Sequence, residues 1–148
     1  MQVRNANKED FEQLFNLGKE FAEVSKEAHG FSVSDEKIEE FIKSIISNDS
    51  WITLVIEVDG KINGFIYGCI IKTFFSEDLY AQEVAWYVKD KNKNGLKLMS
   101  EFEKIAEEKQ CKRIIFGFKP LYADMKNLYE RKGYRILESY YVREICQH

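Results

Sequence analysis

The sequence predicts an α+β domain, a mixed but mostly antiparallel sheet flanked by helices. Three observations predict it. Four segments repeat apolar residues at helical spacing, and six shorter runs are rich in β-branched and aromatic residues. Asp59-Gly60 joins two of those runs as a tight hairpin. The passage from Ala81 to Phe118 reads strand, polar loop, helix, strand, and a crossover of that length sets its two strands parallel.

Residues 2–6 form the first expected strand. Phe11, Leu14, Phe15, Gly18, Phe21 and Ala22 then recur on one face, which predicts a helix over roughly 8–26. Gly30 closes the loop after it. Ser34, followed by Asp35 and Glu36, marks the start of a second helix with Ile38, Phe41, Ile42, Ile45 and Ile46 on its apolar face. "WITLVIEV" and "INGFIYGCII" are the two arms of the hairpin, and after the loop "KTFFSEDLY" the run "AQEVAWYV" is another strand. "KDKNKNGLKLM" opens the third helix, which carries Leu98, Met99, Phe102, Ile105 and Ala106 on one side. "CKRIIFGF" reads as a strand, "ADMKNLYERK" as a short helix and "YRILESYYVREI" as a terminal strand. The order is β-α-α-β-β-β-α-β-α-β. Without repeats or linkers, residues 1–148 are expected to form one domain.

Composition narrows the function. Hydrophobic residues at 45% and charged residues at 32% describe a globular chain, and a net charge of −3 argues against a dedicated nucleic-acid binder. No apolar run is long enough for a membrane span, and the polar start "MQVRNANKED" is no signal peptide. Cys69, Cys111 and Cys146 have no CxxC spacing, which predicts free thiols in a reducing cytoplasm. His29 and His148 are too far apart in sequence to suggest a metal cluster.

Chemistry is expected around residues 81–97. Ligands gather beyond the carboxyl ends of parallel strands, and a helix N-terminus offers N–H groups to an anion. Asn92 and Asn94 tolerate the left-handed backbone such a loop uses, while Lys91, Lys93 and Lys97 bring positive charge. The alternative is a solvated loop with Asn94 as an ordinary helix cap. Glu83 is the only charged residue in its strand. Strict alternation groups it with Ala81, Ala85 and Tyr87, a small-residue face with room for a ligand, and sends Val84, Trp86 and Val88 to the other side. A carboxylate buried there would titrate higher than usual and serve as a general base; one facing solvent or a lysine would not. Tyr129 shares a helical face with Met125 and Leu128, so packing alone also accounts for it.

The element order, with the strand–loop–helix at 81–110 and "LYERKGY" near the end, resembles the GNAT family of N-acetyltransferases. The likeness in topology spans nearly the whole chain, and its specific motifs occupy residues 81–106 and 124–143. It implies a GNAT-like acyl-CoA N-acyltransferase fold, with acetyl-CoA as co-substrate. The implied reaction is direct acetyl transfer to an amine of a small molecule or protein. By the same resemblance the backbone of Trp86, Tyr87 and Val88 meets the pantetheine arm. Lys91, Lys93, Asn94, Gly95 and Leu96 surround the pyrophosphate, Glu83 is the base, and Tyr129 protonates the leaving sulfur. The family's loop runs Gln or Arg, two residues, Gly, one residue, then Gly or Ala. Gly95 fits its last position, whereas Asp90 and Lys93 stand at the first position and at the first glycine. That departure defines the alternative, a catalytically inactive protein of the same fold that regulates by binding an acyl-CoA or a protein. Glu27, His29, Phe31, Phe74, Phe75, Glu77 and Asp78 are the expected acceptor side, acidic groups beside aromatics that suit a cationic amine. A homodimer is left open.

Overall fold

Asp59 and Gly60 both take positive φ, 50° and 75°, the twist that a two-residue hairpin requires. They join β2 (Trp51–Val58) to β3 (Lys61–Lys72). The structure is a computed structural model and describes residues 1–30, 32–89, 94–117 and 123–145. β1 (Gln2–Asn5) pairs antiparallel with β2, and β3 pairs antiparallel with β4 (Leu79–Val88). After α3 (Asn94–Glu108), β5 (Arg113–Ile115) returns parallel to β4, from Tyr80↔Arg113 to Gln82↔Ile115. The five strands lie in the order β1-β2-β3-β4-β5, the mixed and mostly antiparallel sheet that the sequence predicts.

Local signals position the helices. Ser34 Oγ accepts from the Lys37 N–H at 3.3 Å and so caps α2 (Asp35–Ile45). A 3₁₀ turn, Lys8–Asp10, precedes α1 (Phe11–His29), which therefore starts and ends later than the apolar repeat predicts; Gly30, at φ 64°, stops it. Leu14, Leu17, Ile42 and Ile45 of α1 and α2 pack against Val55, Phe65, Tyr67 and Ala85 on one face of the sheet. Leu98, Phe102 and Ala106 of α3 pack against Ile52, Leu54, Ile56, Ile66 and Ala81 on the other. Both faces are covered, which is why β2 and β3 read as nearly continuous apolar runs.

The chain divides into two compact units, Met1–Phe116 and Gly117–His148. The second contains α4 (Ala123–Arg131). The terminal strand expected over residues 134–145 is corrected: those residues form neither strand nor helix. An alternating pattern says which side chains would suit a sheet, but a strand also needs a neighbour to bond, and among the described residues no strand pairs with this segment. Ile136, Tyr140, Tyr141, Val142 and Ile145 accordingly stay exposed. Among the described residues no helix is long and apolar enough to cross a membrane.

One charged cluster ties the start of α1 to the sheet. The Arg4 guanidinium donates to both oxygens of Asp10, at 2.7 and 2.9 Å, and to Glu57 Oε2 at 2.7 Å. Asp10, which is buried, also accepts the Asn7 N–H at 2.8 Å. The hydrogen bond from Arg4 holds the Asp10 carboxyl below the ordinary carboxylate range, against the opposing effect of burial. A depressed native pKa contributes stability that is complete above the unfolded value, about 4, and is lost as pH falls through the native one. Asp10→Asn is expected to lose about 2 kcal/mol at neutral pH. Its melting temperature should converge on that of the unaltered protein as the pH is lowered below about 4, in melts run across that range.

Tyr67 presents the opposite case. Its ring stacks on Phe65 at 4.3 Å, but its buried hydroxyl has no hydrogen-bond partner among the described residues. Removing an unsatisfied buried group relieves its desolvation penalty. Tyr67→Phe is expected to raise stability by about 1 kcal/mol in denaturant unfolding.

Candidate functional site

β4 is bonded to β3 along its whole length, yet to β5 only at residues 80–82. From Val84 to Val88 its outer edge has no strand partner among the described residues. Backbone N–H and C=O groups require partners, so this half-edge is a place where an extended ligand can add as a strand would.

A β-bulge falls where the edge opens. Tyr67 lies opposite Ala85 and Gly68 opposite Glu83, which makes Val84 the extra residue of β4. Directly opposed residues share a face. Ile66 and Ile70 pack towards α3, and so by register do Ala81, Glu83, Trp86 and Val88; Ala85 and Tyr87 point towards α1 and α2. The alternation read from the sequence is thereby corrected: Glu83 is not on the face of Ala85 and Tyr87. The room expected beside it is also partly taken, because Phe102 covers Gly68. A Cβ at residue 68 would lie 2.4 Å from that ring. The signal was legible as a glycine inside a strand run, which marks a bulge or a close approach. Glu83 itself is half-buried.

The first turn of α3 lies over the end of the same strand. A Cβ at Gly95 would be 3.5 Å from Trp86 Cζ2 and 3.7 Å from Val88 Cγ2, so the helix start rests on those two side chains in ordinary contact. No acidic residue occupies that turn, whereas α2 places Asp35 and Glu36 in its own. The positive end of the α3 dipole thus meets no acid within its own first turn, and a helix start of that kind favours an anion. Asn94 and Gly95 are half-buried there and Leu96 is exposed. Lys91 and Lys93, with Asp90 and Asn92, lie outside the described residues.

On the α1 side, one carboxylate takes two partners from β4 and the residue after it. Glu20 Oε2 accepts from the Tyr87 hydroxyl at 3.3 Å, and Glu20 Oε1 pairs with Lys89 Nζ at 3.0 Å. Burial, followed by the charge of Glu20, pushes the Tyr87 phenol up. Sequence reasoning missed Glu20, since the contact spans 67 residues and a glutamate on the polar side of a helix carries no signal. Of the expected acceptor-side residues, Phe31 lies outside the described residues, and Glu27 and His29 fall in the last turns of α1. Phe74 and Phe75 are wholly exposed, on a loop stitched by Thr73 N–H to Asp78 O at 3.0 Å and Asp78 N–H to Ser76 Oγ at 3.1 Å. Glu77 pairs with Lys72. Tyr129 belongs to the second unit. There its hydroxyl donates to Gly117 O at 3.1 Å, and its ring lies 5.7 Å from that of Tyr134.

No protein-family model matches the chain, and no curated protein matches it. Solved structures do. A ribosomal-protein-alanine N-acetyltransferase from Brucella melitensis is 17% identical, with a TM-score of 0.73 over 98% of this chain and 100% of that one. A GNAT family acetyltransferase from Staphylococcus aureus is 20% identical, with a TM-score of 0.71 over 97% and 98%. AAC(6')-Iy, solved with the bisubstrate analog CoA-S-monomethyl-acetylneamine, is 14% identical, with a TM-score of 0.78 over 98% of each chain. At such identities the likeness is one of fold, and it extends over essentially the whole length.

Proposed function

We propose, on the premise that this chain has the GNAT acetyltransferase fold, that it is an acetyl-CoA-dependent N-acetyltransferase acting on the amine of a small molecule or a protein. The observation that carries the reading is the first turn of α3, which holds no acidic residue, lying over Trp86 and Val88 at the end of β4, where the outer edge has no strand partner among the described residues. An extended arm that carries amides fits the edge, and a pyrophosphate fits the helix start. The acceptors for which the similar structures are named, an alanine of a ribosomal protein and a neamine derivative, include both classes of amine. Free thiols at Cys69 and Cys111 suit the cytoplasm.

Acetyl-CoA supplies a thioester carbonyl that is already activated, so the protein needs no covalent nucleophile of its own. The backbone of Trp86, Tyr87 and Val88 would hold the pantetheine amides. Lys91, Lys93, Asn94, Gly95 and Leu96 would hold the phosphates. Glu83 takes the proton that the attacking amine must lose, and the Tyr129 hydroxyl gives one to the leaving sulfur. Close placement of the two reactants does the rest.

Calorimetric titration with acetyl-CoA tests the first half of this proposal, and thiol release over a panel of amines tests the second. Micromolar to submillimolar binding with turnover is the expected result. No binding at about 1 mM coenzyme, a free energy near −4 kcal/mol, would sink it, and binding without turnover on any amine would favour the inactive regulator. If Glu83 is the base, Glu83→Gln lowers kcat by about 100-fold on the high-pH plateau and by less in acid, where the carboxylate of the unaltered protein is protonated too. Tyr129→Phe should lower kcat with KM for coenzyme unchanged. Full rates in both variants would remove these two assignments and leave the fold untouched.

A further inference from the structure

We propose that Glu20 is a positioning residue that holds the end of β4 in place for the coenzyme; the inference rests on the function proposed above. From Val84 to Val88 the strand pairs, among the described residues, with β3 alone. Side chains above and below the sheet add to that support. On the α3 face Trp86 and Val88 carry the first turn of that helix. On the α1 face the two successive side chains are those of Tyr87 and Lys89. Both end on the single carboxylate of Glu20, at 3.3 and 3.0 Å. The Tyr87 ring is further fixed between Phe21 and Phe65, each 6.1 Å away, and the Lys89 N–H donates to Asn63 O at 2.9 Å. The strand is thus pinned at its last two α1-side positions, immediately before residues 90–93 lead into α3.

A second effect of Glu20 has the opposite sign, and magnitudes separate the two. The Lys89–Glu20 pair is open to solvent, with side chains 52% and 40% exposed, and such pairs contribute little to global stability. Its use lies elsewhere. If Glu20 mainly pre-orders the edge, its loss raises the ordering cost of coenzyme binding and weakens affinity. If it mainly masks the Lys89 charge, its loss frees a cation near the phosphate end and strengthens affinity. The shared carboxylate, reached by a half-buried phenol as well as by the lysine, favours pre-ordering.

The test compares Glu20→Gln and Glu20→Ala with the unaltered protein. Expected is a rise of about fivefold in KM for acetyl-CoA in Glu20→Ala, the scale of one exposed charged hydrogen bond, with a smaller rise in Glu20→Gln and kcat within about twofold. Hydrogen exchange at the amides of residues 85–89, measured without coenzyme, should quicken in the same order, with melting temperatures little changed. An unchanged or lowered KM, or unchanged exchange at those amides, overturns the proposal. Absence of coenzyme binding by the unaltered protein overturns the proposed function instead; the exchange measurement then still decides whether Glu20 holds the strand.

Discussion

A strand inside a sheet must satisfy hydrogen bonds on two edges, and β4 does so for only part of its length. β5 supplies three residues of parallel pairing and then ends. Much of the molecule's chemistry depends on that shortage. Among the described residues it leaves Val84 to Val88 without a strand on that side, close to where α3 begins. The bulge at Val84 lies at the same point, so the half of β4 that is bonded on both sides and the half that is not also present opposite alternations of side chains.

α1 is anchored to the sheet at two points. Asp10, at its start, is held by Arg4 of β1, and Glu20, in its middle, is reached by Tyr87 and Lys89 at the end of β4. Ten residues of helix advance about 15 Å, and three inter-strand spacings are about 14 Å. The helix is therefore long enough between its carboxylates to reach across the sheet from one side to the other, over the aromatic layer of Phe21, Phe65, Tyr67 and Tyr87. Acidic pins and aromatic rings gather on this face. The first turn of α3, which holds no acidic residue, stands on the other.

What the sequence made legible was whatever a few neighbouring residues decide among themselves. Asp59-Gly60 turned where it had to, Ser34 capped α2, and the passage through α3 brought β5 back parallel. Misreadings arose where a distant partner decides. The alternation around Glu83 was broken by a bulge that only pairing with β3 creates, although Gly68 was visible as its mark. Residues 134–145 have the side chains of a strand but pair with no strand among the described residues. Glu20 looked like any solvated glutamate until the fold brought β4 beneath it.

Gly68 has one more consequence. With no side chain there, the Phe102 ring settles into the space a methyl group would fill. That vacancy works as a spacer of zero thickness between the sheet and α3, and it fixes how low the helix rides. Even an alanine there would meet the outer edge of the Phe102 ring at 2.4 Å and the Gln82 carbonyl oxygen at 2.8 Å, so the ring or the strand would have to give way. A larger residue at 68 therefore asks for a smaller one at 102, and the seat of α3 on the sheet depends on what position 68 leaves out.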